Sequence, residues 1–317
     1  TIYSLIRVHS FLIRVNSCLE NMKKTIAIFS SNPHAYAPRR FAEEARKKGF
    51  SAATFGYQEV DLYFAAKGER KIFLKEKKIT EPFWGAIFRS SRNPHHIFTP
   101  QRDCLLNFFL QQKTIVLNQI IYQKWPVLDK ITEHLVLSQN KLPIAASWVF
   151  GSSSRLKEKI KLPAVLKFYL GSHGSRVFKI ESFYKLEKIL ACFPAENLLV
   201  QEILPEGEDL RVIVLGGKAI GAMRKRAAPG KFVTNYSAGG SVSSYNLKND
   251  YQAKILAEKA AKIFKADFCG VDFMKDAQGE WRVLEVNTDC QFEGFEKATG
   301  INVAQKVIEF LIKQKIW

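Results

Sequence analysis

The stretch GVDFMKDAQGEWRVLEVN, residues 270–287, alternates apolar and polar residues on both sides of a short turn sequence. The turn is DAQG, Asp276 to Gly279, and Asp and Gly at its ends favour a tight reversal of the chain. The pattern therefore predicts a β-hairpin, which would be one edge of a larger sheet.

Within this hairpin an even-numbered loop places Asp272 opposite or nearly opposite Val283, with Glu285 on the same face. The period-two alternation of a strand adds Asn287 to that face. Three oxygen donors would then converge, and Mg²⁺ prefers such hard ligands and fills its other positions with water and phosphate. The alternative is a pair of surface carboxylates that neighbouring lysines neutralise.

A second motif, LKFYLGSHGSRVFKI, predicts a strand with Lys167, a glycine loop and a return strand. Gly171, Ser172 and Gly174 allow backbone N–H groups to approach phosphate oxygens, and Lys167 adds a positive charge. The loop is not a Walker A motif, which needs Gly-Lys-Ser/Thr at the start of a helix. An ordinary hairpin turn is the alternative interpretation.

A third motif, LLVQEILPEGEDLRVIV, is an apolar strand that runs into an acidic segment. Backbone groups near Gln201 and Glu202 can meet an adenine edge, and a nearby acid can bind ribose hydroxyls. Arg211 and Arg226 can balance charge on a transferring phosphoryl group, although each alone is more commonly part of a surface salt bridge.

The fold class follows from the order of the predicted elements. Strands and helices alternate from Met22 to about Ile120, which indicates an open parallel sheet without a dinucleotide-binding glycine motif. Beyond that point the strands form hairpins, one of them turning at Gly216-Gly217, with helices on one side. The sequence therefore predicts an α/β domain followed by an α+β part.

Composition narrows the functional classes. The chain has 317 residues, 48 Lys and Arg against 30 Asp and Glu, and a net charge of +18, which favours an acidic partner. The basic residues are spread along the chain without a nucleic-acid signature, which makes nucleic-acid binding an unfavoured interpretation. The five cysteines show no C-x-x-C pair, which favours a reducing, cytoplasmic location. No apolar run reaches the ~18 residues that span a bilayer.

The first 21 residues, TIYSLIRVHSFLIRVNSCLEN, carry short apolar segments that Arg7 and Arg14 interrupt. A signal peptide is disfavoured by these charges, and a basic amphipathic helix at a membrane surface is an alternative. We expect Met22 to be the natural start and residues 1–21 to be an extension without a readable function.

Five motifs occur in the order in which the ATP-grasp ligases carry them: Lys167 with GSHGSRV, QEILPEGEDLRV, AMRKRAAPGKFVTN, GVDFM and LEVN. From about Arg89 to the end, the sequence most closely resembles the RimK-like glutamate ligases, which add amino acids to a carboxylate on a protein or small molecule. The resemblance implies a Rossmann-like pre-ATP-grasp domain over 22–125 and a two-lobed ATP-grasp fold. Its small lobe would cover 126–204 and its large lobe, with the metal site, 205–317.

The resemblance also implies roles for individual residues. The catalytic arginines would be Arg211 and Arg226. The metal ligands, for one or two Mg²⁺ with Mn²⁺ as an alternative, would be Asp272, Glu285 and Asn287. The residues that contact ATP would be Lys130, Lys167, Gly171, Ser172, Gly174, Gln201, Glu202, Leu204, Asp209 and Asn235.

The implied reaction is the activation of a carboxylate by ATP as an acyl phosphate, followed by attack of an amine. No side-chain nucleophile is needed, and Cys290 is expected to be a small, semi-buried residue. The alternatives are a small-metabolite ligase like glutathione synthetase or D-alanine–D-alanine ligase, a non-catalytic ATP-binding scaffold, and a kinase. A homo-oligomer is compatible with each of them.

The acceptor side departs from the family pattern. Thr288 to Gln291 occupy the place of a usual Pro-Gly, and Val233 and Ala238 that of usual arginines. The resemblance therefore implies the ATP chemistry and leaves the acceptor and the added amino acid open.

Overall fold

The structure is a computed structural model that describes residues 24–91, 97–170, 176–205, 208–228 and 240–314. Its contacts divide the chain into two compact units. Unit 1 comprises Thr1–Pro126 and Asn302–Trp317, and unit 2 comprises Val127–Ile301. Within the described ranges, no helix has the length and apolarity that crossing a bilayer requires.

The described residues form strands and helices in mixed order. The strands are β1 (Thr25–Ser30), β2 (Ser51–Gly56), β3 (Val60–Phe64), β4 (Arg70–Leu74), β5 (Lys77–Lys78), β6 (Gly85–Phe88), β7 (Ile115–Val116), β8 (Ser147–Val149), β9 (Ala164–Phe168), β10 (Val177–Ile180), β11 (Leu198–Glu202), β12 (Glu208–Leu215), β13 (Lys218–Arg226), β14 (Ser241–Tyr245), β15 (Phe268–Lys275) and β16 (Trp281–Asn287). The helices are α1 (Tyr36–Lys47), α2 (Thr99–Gln111), α3 (Gln119–Lys124), α4 (Lys130–Gln139), α5 (Ser153–Lys159), α6 (Phe183–Cys192), α7 (Tyr251–Phe264), α8 (Glu293–Thr299) and α9 (Val303–Lys313).

The sheet of unit 1 is parallel and has the order β2-β1-β6-β7. Every residue of β1 is buried, as a central strand with both faces covered requires. Helices α1 and α2 form the crossovers into β2 and β7, and Gly49 after α1 has a φ of +81°, a left-handed conformation that glycine adopts without strain. This is the alternating α/β pattern that the sequence predicts.

Two features of unit 1 differ from the sequence-based division. An antiparallel sheet, β3-β4-β5, is inserted between β2 and β6. The last helix, α9, packs on α1, where Lys48 Nζ lies 2.6 Å from the Glu309 carboxylate and Arg40 donates to Asn302 over 3.0 Å. Residues 302–317 therefore group with unit 1, whereas the sequence analysis assigned them to the lobe over 205–317.

The first sheet of unit 2 is antiparallel and has the order β10-β9-β11-β8. On its one face, Leu166, Leu198 and Val200 join an apolar core with residues of α5 and α6. The other face carries Lys167 on β9 and Gln201 on β11, since the side chains of a strand alternate between its faces.

The second sheet of unit 2 is antiparallel with the order β14-β13-β12-β15-β16. Gly216 and Gly217 have φ values of 56° and 74° and turn β12 into β13, as their sequence predicts. The outer edge of β16 is covered, because Val283 donates its N–H to the Pro143 carbonyl over 2.8 Å and forms a parallel bridge with Ile144. Helix α7 packs its buried alanines against β12 and β15.

Candidate active site

The hairpin of β15 and β16 brings two carboxylates together. A β-bulge between Asp272 and Phe273 makes Asp272 pair with Glu285, while Val283 pairs with Phe273. The two carboxyl groups lie within hydrogen-bonding reach of each other. Asn287 pairs with Gly270, so it lies on the same face, two residues beyond Glu285 on β16.

Asp272 is neutralised by Arg211 from the neighbouring strand β12. Arg211 Nε and Nη2 donate to the two Asp272 oxygens over 2.7 and 2.5 Å, a bidentate pair. Burial alone would raise the pKa of Asp272, but the charges of Arg211 and Lys225 hold that pKa below its usual range. Burial also acts to lower the pKa of Arg211, and the Asp272 charge outweighs it and raises that pKa.

A second cation, Lys225, completes this network. Its Nζ lies 2.9 Å from Asp209 and 3.4 Å from Asp272, and the three side chains are buried. Lys225 pairs with Asp209 across β12 and β13. The four side chains of Arg211, Asp272, Lys225 and Asp209 thus alternate in charge on one face of the sheet. The sequence analysis did not identify Lys225.

The Arg226 side chain lies outside this network of four charged residues. Its side chain is 59% exposed and pairs with Glu208 over 3.1 Å. A regular hairpin around Gly216-Gly217 would place the even-numbered residues of β13 on the face of Arg211. The structure has a bulge between Ile213 and Val214, and this one-residue shift brings Lys225 to that face and turns Arg226 away. The structure does not bring Arg226 to the cluster, contrary to the sequence-based expectation.

Helix α4 supplies a carboxylate that the sequence analysis missed. Asp129 caps the helix by accepting from the N–H groups of Ile131 and Thr132 over 2.8 and 2.9 Å. One turn later, buried Glu133 accepts the backbone N–H of Val286. Val286 lies between Glu285 and Asn287, so Glu133 holds the strand that carries both.

Lys167 on β9 faces this cluster from the first sheet of unit 2. Burial lowers the pKa of Lys167 to about 8, while the negative charges of Glu285, Glu133 and Asp272 act in the opposite direction. Lys130, at the start of α4, adds a repulsive positive charge. The two sheets therefore place lysines and carboxylates against each other within unit 2.

Gln201 belongs to a buried network with α4. Its Nε2 donates to His134 Nε2 over 3.0 Å and to Ser147 Oγ over 3.1 Å. His134 Nδ1 lies 2.8 Å from the Lys130 carbonyl, which only accepts, so Nδ1 carries the proton. Burial first, and then the charge of Lys167, lower the pKa of His134 to about 4. His134 is therefore neutral and aligns Gln201; sequence reasoning missed it because only the fold brings it to β11.

The other residues that the sequence predicts to bind the nucleotide lie in different surroundings. Glu202 exchanges two hydrogen bonds with Ala146, and Leu204 is buried at the end of the same segment. Gly171, Ser172, Gly174 and Asn235 lie outside the described residues. Cys290 is fully buried, deeper than expected, and packs against Gly270, where an added Cβ would lie 2.9 Å from the Cys290 Cβ.

The donors present suit Mg²⁺. Asp272, Glu285 and Asn287 offer two carboxylates and a carboxamide, and adjacent carboxyl groups require a proton or a cation between them. Each carboxylate oxygen accepts more than one bond, so the Arg211 pair leaves Asp272 able to bind a metal. Among the described residues, no three His, Cys, Asp or Glu side chains form a group that could hold a metal ion.

Comparisons with known proteins agree with this architecture. A family model described as a RimK-like ATP-grasp domain matches residues 127–311. A "Probable alpha-L-glutamate ligase" of Aeromonas salmonicida (strain A449) is 30% identical over 294 residues, 90% of this chain and 95% of the relative. A protein of the same name from Thioalkalivibrio sulfidiphilus (strain HL-EbGR7) is 37% identical over 294 residues, 90% of this chain and 94% of the relative.

The fold is also that of a solved ligase. The structure of ATP-grasp ligase PsnB, complexed with a phosphomimetic variant of minimal precursor, Mg and ADP, matches with a TM-score of 0.72. The match has 20% identity and covers 92% of this chain and 99% of PsnB. The family model and the glutamate-ligase relatives, together with this fold, make the chain an ATP-dependent ligase of the ATP-grasp fold. Within that class it belongs to the RimK-like ATP-grasp family.

Proposed function

We propose that this ligase joins an amine to a carboxylate through an acyl-phosphate intermediate. The observation that supports the proposal most strongly is the cluster in which Asp272 and Glu285 face the cations Arg211, Lys225 and Lys167. Fixed charges of this kind stabilise the charge that develops on a transferring phosphoryl group.

The reaction has two steps. A carboxylate oxygen of the acceptor attacks the γ-phosphorus of ATP and ADP leaves; the amine nitrogen then attacks the acyl carbon, and phosphate and a proton leave. In our proposal Lys130 and Lys167 bind the phosphates. Lys225 takes the place first assigned to Arg226 beside the transferring group, and Arg211 holds Asp272 in position.

The metal ligands remain as the sequence predicts them in this proposal. Asp272, Glu285 and Asn287 would hold Mg²⁺, which when bound supplies positive charge to the phosphate oxygens. Asp209 holds Lys225 in place through their ion pair, a role that we propose in preference to its first assignment near the ribose.

The nucleotide base would lie at the end of β11, near Gln201, Glu202 and Leu204. His134 supports this assignment, because it fixes the orientation of the Gln201 amide. The loop with Gly171, Ser172 and Gly174, together with Asn235, is proposed to bind phosphate oxygens on the grounds of sequence alone.

Two observations guide the choice of substrates. Relatives named alpha-L-glutamate ligases make L-glutamate the first amine to test. A net charge of +18 favours an acidic acceptor, and PsnB was solved with a precursor as its partner. We therefore propose an acidic peptide or carboxylate metabolite as the acceptor.

The test is ADP release with ATP and Mg²⁺ across a panel of amines and acceptors, with mass analysis of the product. We expect ADP and phosphate only when both substrates are present, and an amide in the product. Glu285→Gln is the control for the metal assignment, and equal turnover of this variant and the wild type would refute that assignment. A stable phosphoester would instead identify a kinase, and binding of ATP without turnover on any pair would indicate a scaffold.

A further inference from the structure

Strand β8 is the last strand of the first sheet in unit 2, and it exposes two large apolar side chains. Trp148 is 49% exposed and Val149 is 48% exposed. Within the part of the chain that the structure describes, β8 pairs with β11 on one side and with no strand on the other. The outer side of β8 is therefore an open sheet edge that carries apolar surface.

The backbone of β8 also presents hydrogen-bonding groups to this edge. Glu202 donates its N–H to the Ala146 carbonyl over 2.9 Å, in line with the antiparallel register of β8 and β11. Hydrogen-bonded and non-hydrogen-bonded pairs alternate in an antiparallel ladder, so Trp148 directs its backbone groups to β11 as well. The N–H and carbonyl groups of Ser147 and Val149 consequently point outward, where a further strand would lie.

The segment around β8 has none of the charges that commonly protect an edge strand. Residues 142–154 contain no Asp, Glu, Lys or Arg, although 25% of the whole chain is charged. The three residues of β8 pair with β11 in a regular register, without a bulge or a proline. Natural proteins use lysines, prolines and bulges to prevent pairing at exposed edges. Their absence from β8 indicates an edge that accepts another strand.

The lack of charge also indicates which strand the edge accepts. An acidic or a basic peptide would find no opposite charge anywhere in residues 142–154. A second copy of this chain presents the same neutral edge, so that no like charges meet at the centre of the contact. We propose that two copies of this chain associate through antiparallel pairing of β8 with β8 of the partner.

The direction of the backbone groups fixes the register of this pairing. Ser147 and the partner's Val149 would exchange hydrogen bonds, and the two-fold symmetry repeats both bonds. Trp148 would lie on the two-fold axis opposite the partner's Trp148, in a non-hydrogen-bonded pair whose Cα atoms are about 4.5 Å apart. Aromatic side chains that face each other in this way stabilise antiparallel pairs.

The short strand limits the strength of the association. A strand of three residues buries much less than the roughly 800 Å² per partner of a stable complex. We therefore expect a dimer with a micromolar dissociation constant. Each copy carries a net charge of +18, so the copies repel each other, and added salt should tighten the dimer by screening this repulsion.

The experiment is sedimentation velocity of the full chain over roughly 5 to 500 µM, a range that brackets a micromolar dissociation constant. We expect the wild type to shift from monomer to dimer as its concentration rises. Trp148→Lys and Val149→Lys should each weaken the dimer about tenfold or more, because each places like charges across the axis. Phe64→Lys is the matched control, because Phe64 is 61% exposed on the edge strand β3, and it should dimerise like the wild type.

A cross-link tests the register. Trp148→Cys should form a disulfide between two copies under mild oxidation, because the expected separation of the Cα atoms lies within the range that disulfides bridge. Phe64→Cys is the control and should remain reduced. Both variants also carry Cys18→Ser and Cys192→Ser, since Cys192 is exposed and would cross-link by itself.

Three outcomes would overturn the proposal. They are a wild type that stays monomeric at every concentration, a dimer that both lysine variants leave unchanged, and a dimer that Phe64→Lys weakens as much as they do. Equal melting temperatures of the lysine variants and the wild type exclude unfolding as the cause of a lost dimer. If a lysine variant fails to fold, absence of the Trp148→Cys cross-link refutes the pairing. These measurements need no substrate and are independent of the ligase reaction proposed above.

Discussion

The register shift at the β12 bulge leads us to expect different roles for two neighbouring residues, Lys225 and Arg226. Lys225 is buried and lies 2.9 Å from Asp209 and 3.4 Å from Asp272, whereas the Arg226 side chain is 59% exposed. Replacing each by methionine keeps an unbranched side chain and removes the charge. The structure predicts that the two variants behave very differently.

The magnitudes follow from burial. Lys225→Met leaves Asp209 buried without its cation, and removal of one partner of a buried pair costs about 3–5 kcal/mol. We take the lower end, because Asp272 keeps Arg211, and about 3 kcal/mol lowers Tm by roughly 6–12 °C for a unit of this size. Arg226→Met loses an exposed pair worth about 0–1 kcal/mol. If Lys225 also stabilises the transferring phosphoryl group, kcat falls by about 10²–10³.

The assays are thermal unfolding, and ADP release at saturating ATP for the most active substrate pair. Lys225→Arg serves as the rescue variant, because it restores the charge and should recover part of both losses. Loss of stability and turnover in Arg226→Met, with both kept in Lys225→Met, would refute the placement of Lys225 in the cluster. That result would mean that the Arg226 side chain, and not that of Lys225, lies on the face of Asp209 and Asp272.

Three further variants test other parts of the site. His134→Asn should weaken the pH dependence of the free energy of unfolding. The pKa of His134 is lowered to about 4 in the folded protein. Its contribution of about 3 kcal/mol to stability is therefore complete above pH ~6.5 and is lost as the pH falls towards about 4. The melting temperature of the variant should therefore fall less than that of the wild type between about pH 7 and about pH 5. An equal fall in both proteins would contradict the assignment. Glu133→Ala should lower stability by about 1–3 kcal/mol, because the buried N–H of Val286 loses its acceptor, and Glu133→Gln should cost less; equal melting temperatures of the two variants would argue against this hydrogen bond. Gly270→Ala should displace Arg211, because the new Cβ would lie 3.3 Å from Arg211 Cδ and 2.9 Å from the Cys290 Cβ. We therefore expect this variant to lower kcat more than it weakens ATP binding. A kinetically normal variant would show that Arg211 tolerates displacement.

Local signals allowed much of the fold to be predicted. The parallel sheet of unit 1 follows from alternating apolar segments, and the hairpin at Gly216-Gly217 follows from two residues that adopt positive φ. The hairpin of β15 and β16 follows from its turn sequence. These elements depend on neighbours along the chain, so one sequence is enough to predict them.

The site was predictable only in part. Asp272 and Glu285 were recognised because their spacing around a turn is local. The partners Glu133 and His134 reach the site from α4, about 150 and 70 residues away from Val286 and Gln201, as the hydrogen bonds between them show. No periodicity within α4 indicates which of its residues will meet a distant strand.

The amino-acid sequence alone determined which segments are helices or strands and where the turns lie. It also determined which residue types suited to ATP chemistry the chain carries. What only the tertiary structure decided is which side chains share a face and which elements share a unit. The two bulges, at Ile213/Val214 and Asp272/Phe273, place Lys225 rather than Arg226 beside Asp272 and bring Glu285 opposite it. The physical reason is that a side chain's face changes with every one-residue shift of register, and that register is set by packing across the sheet.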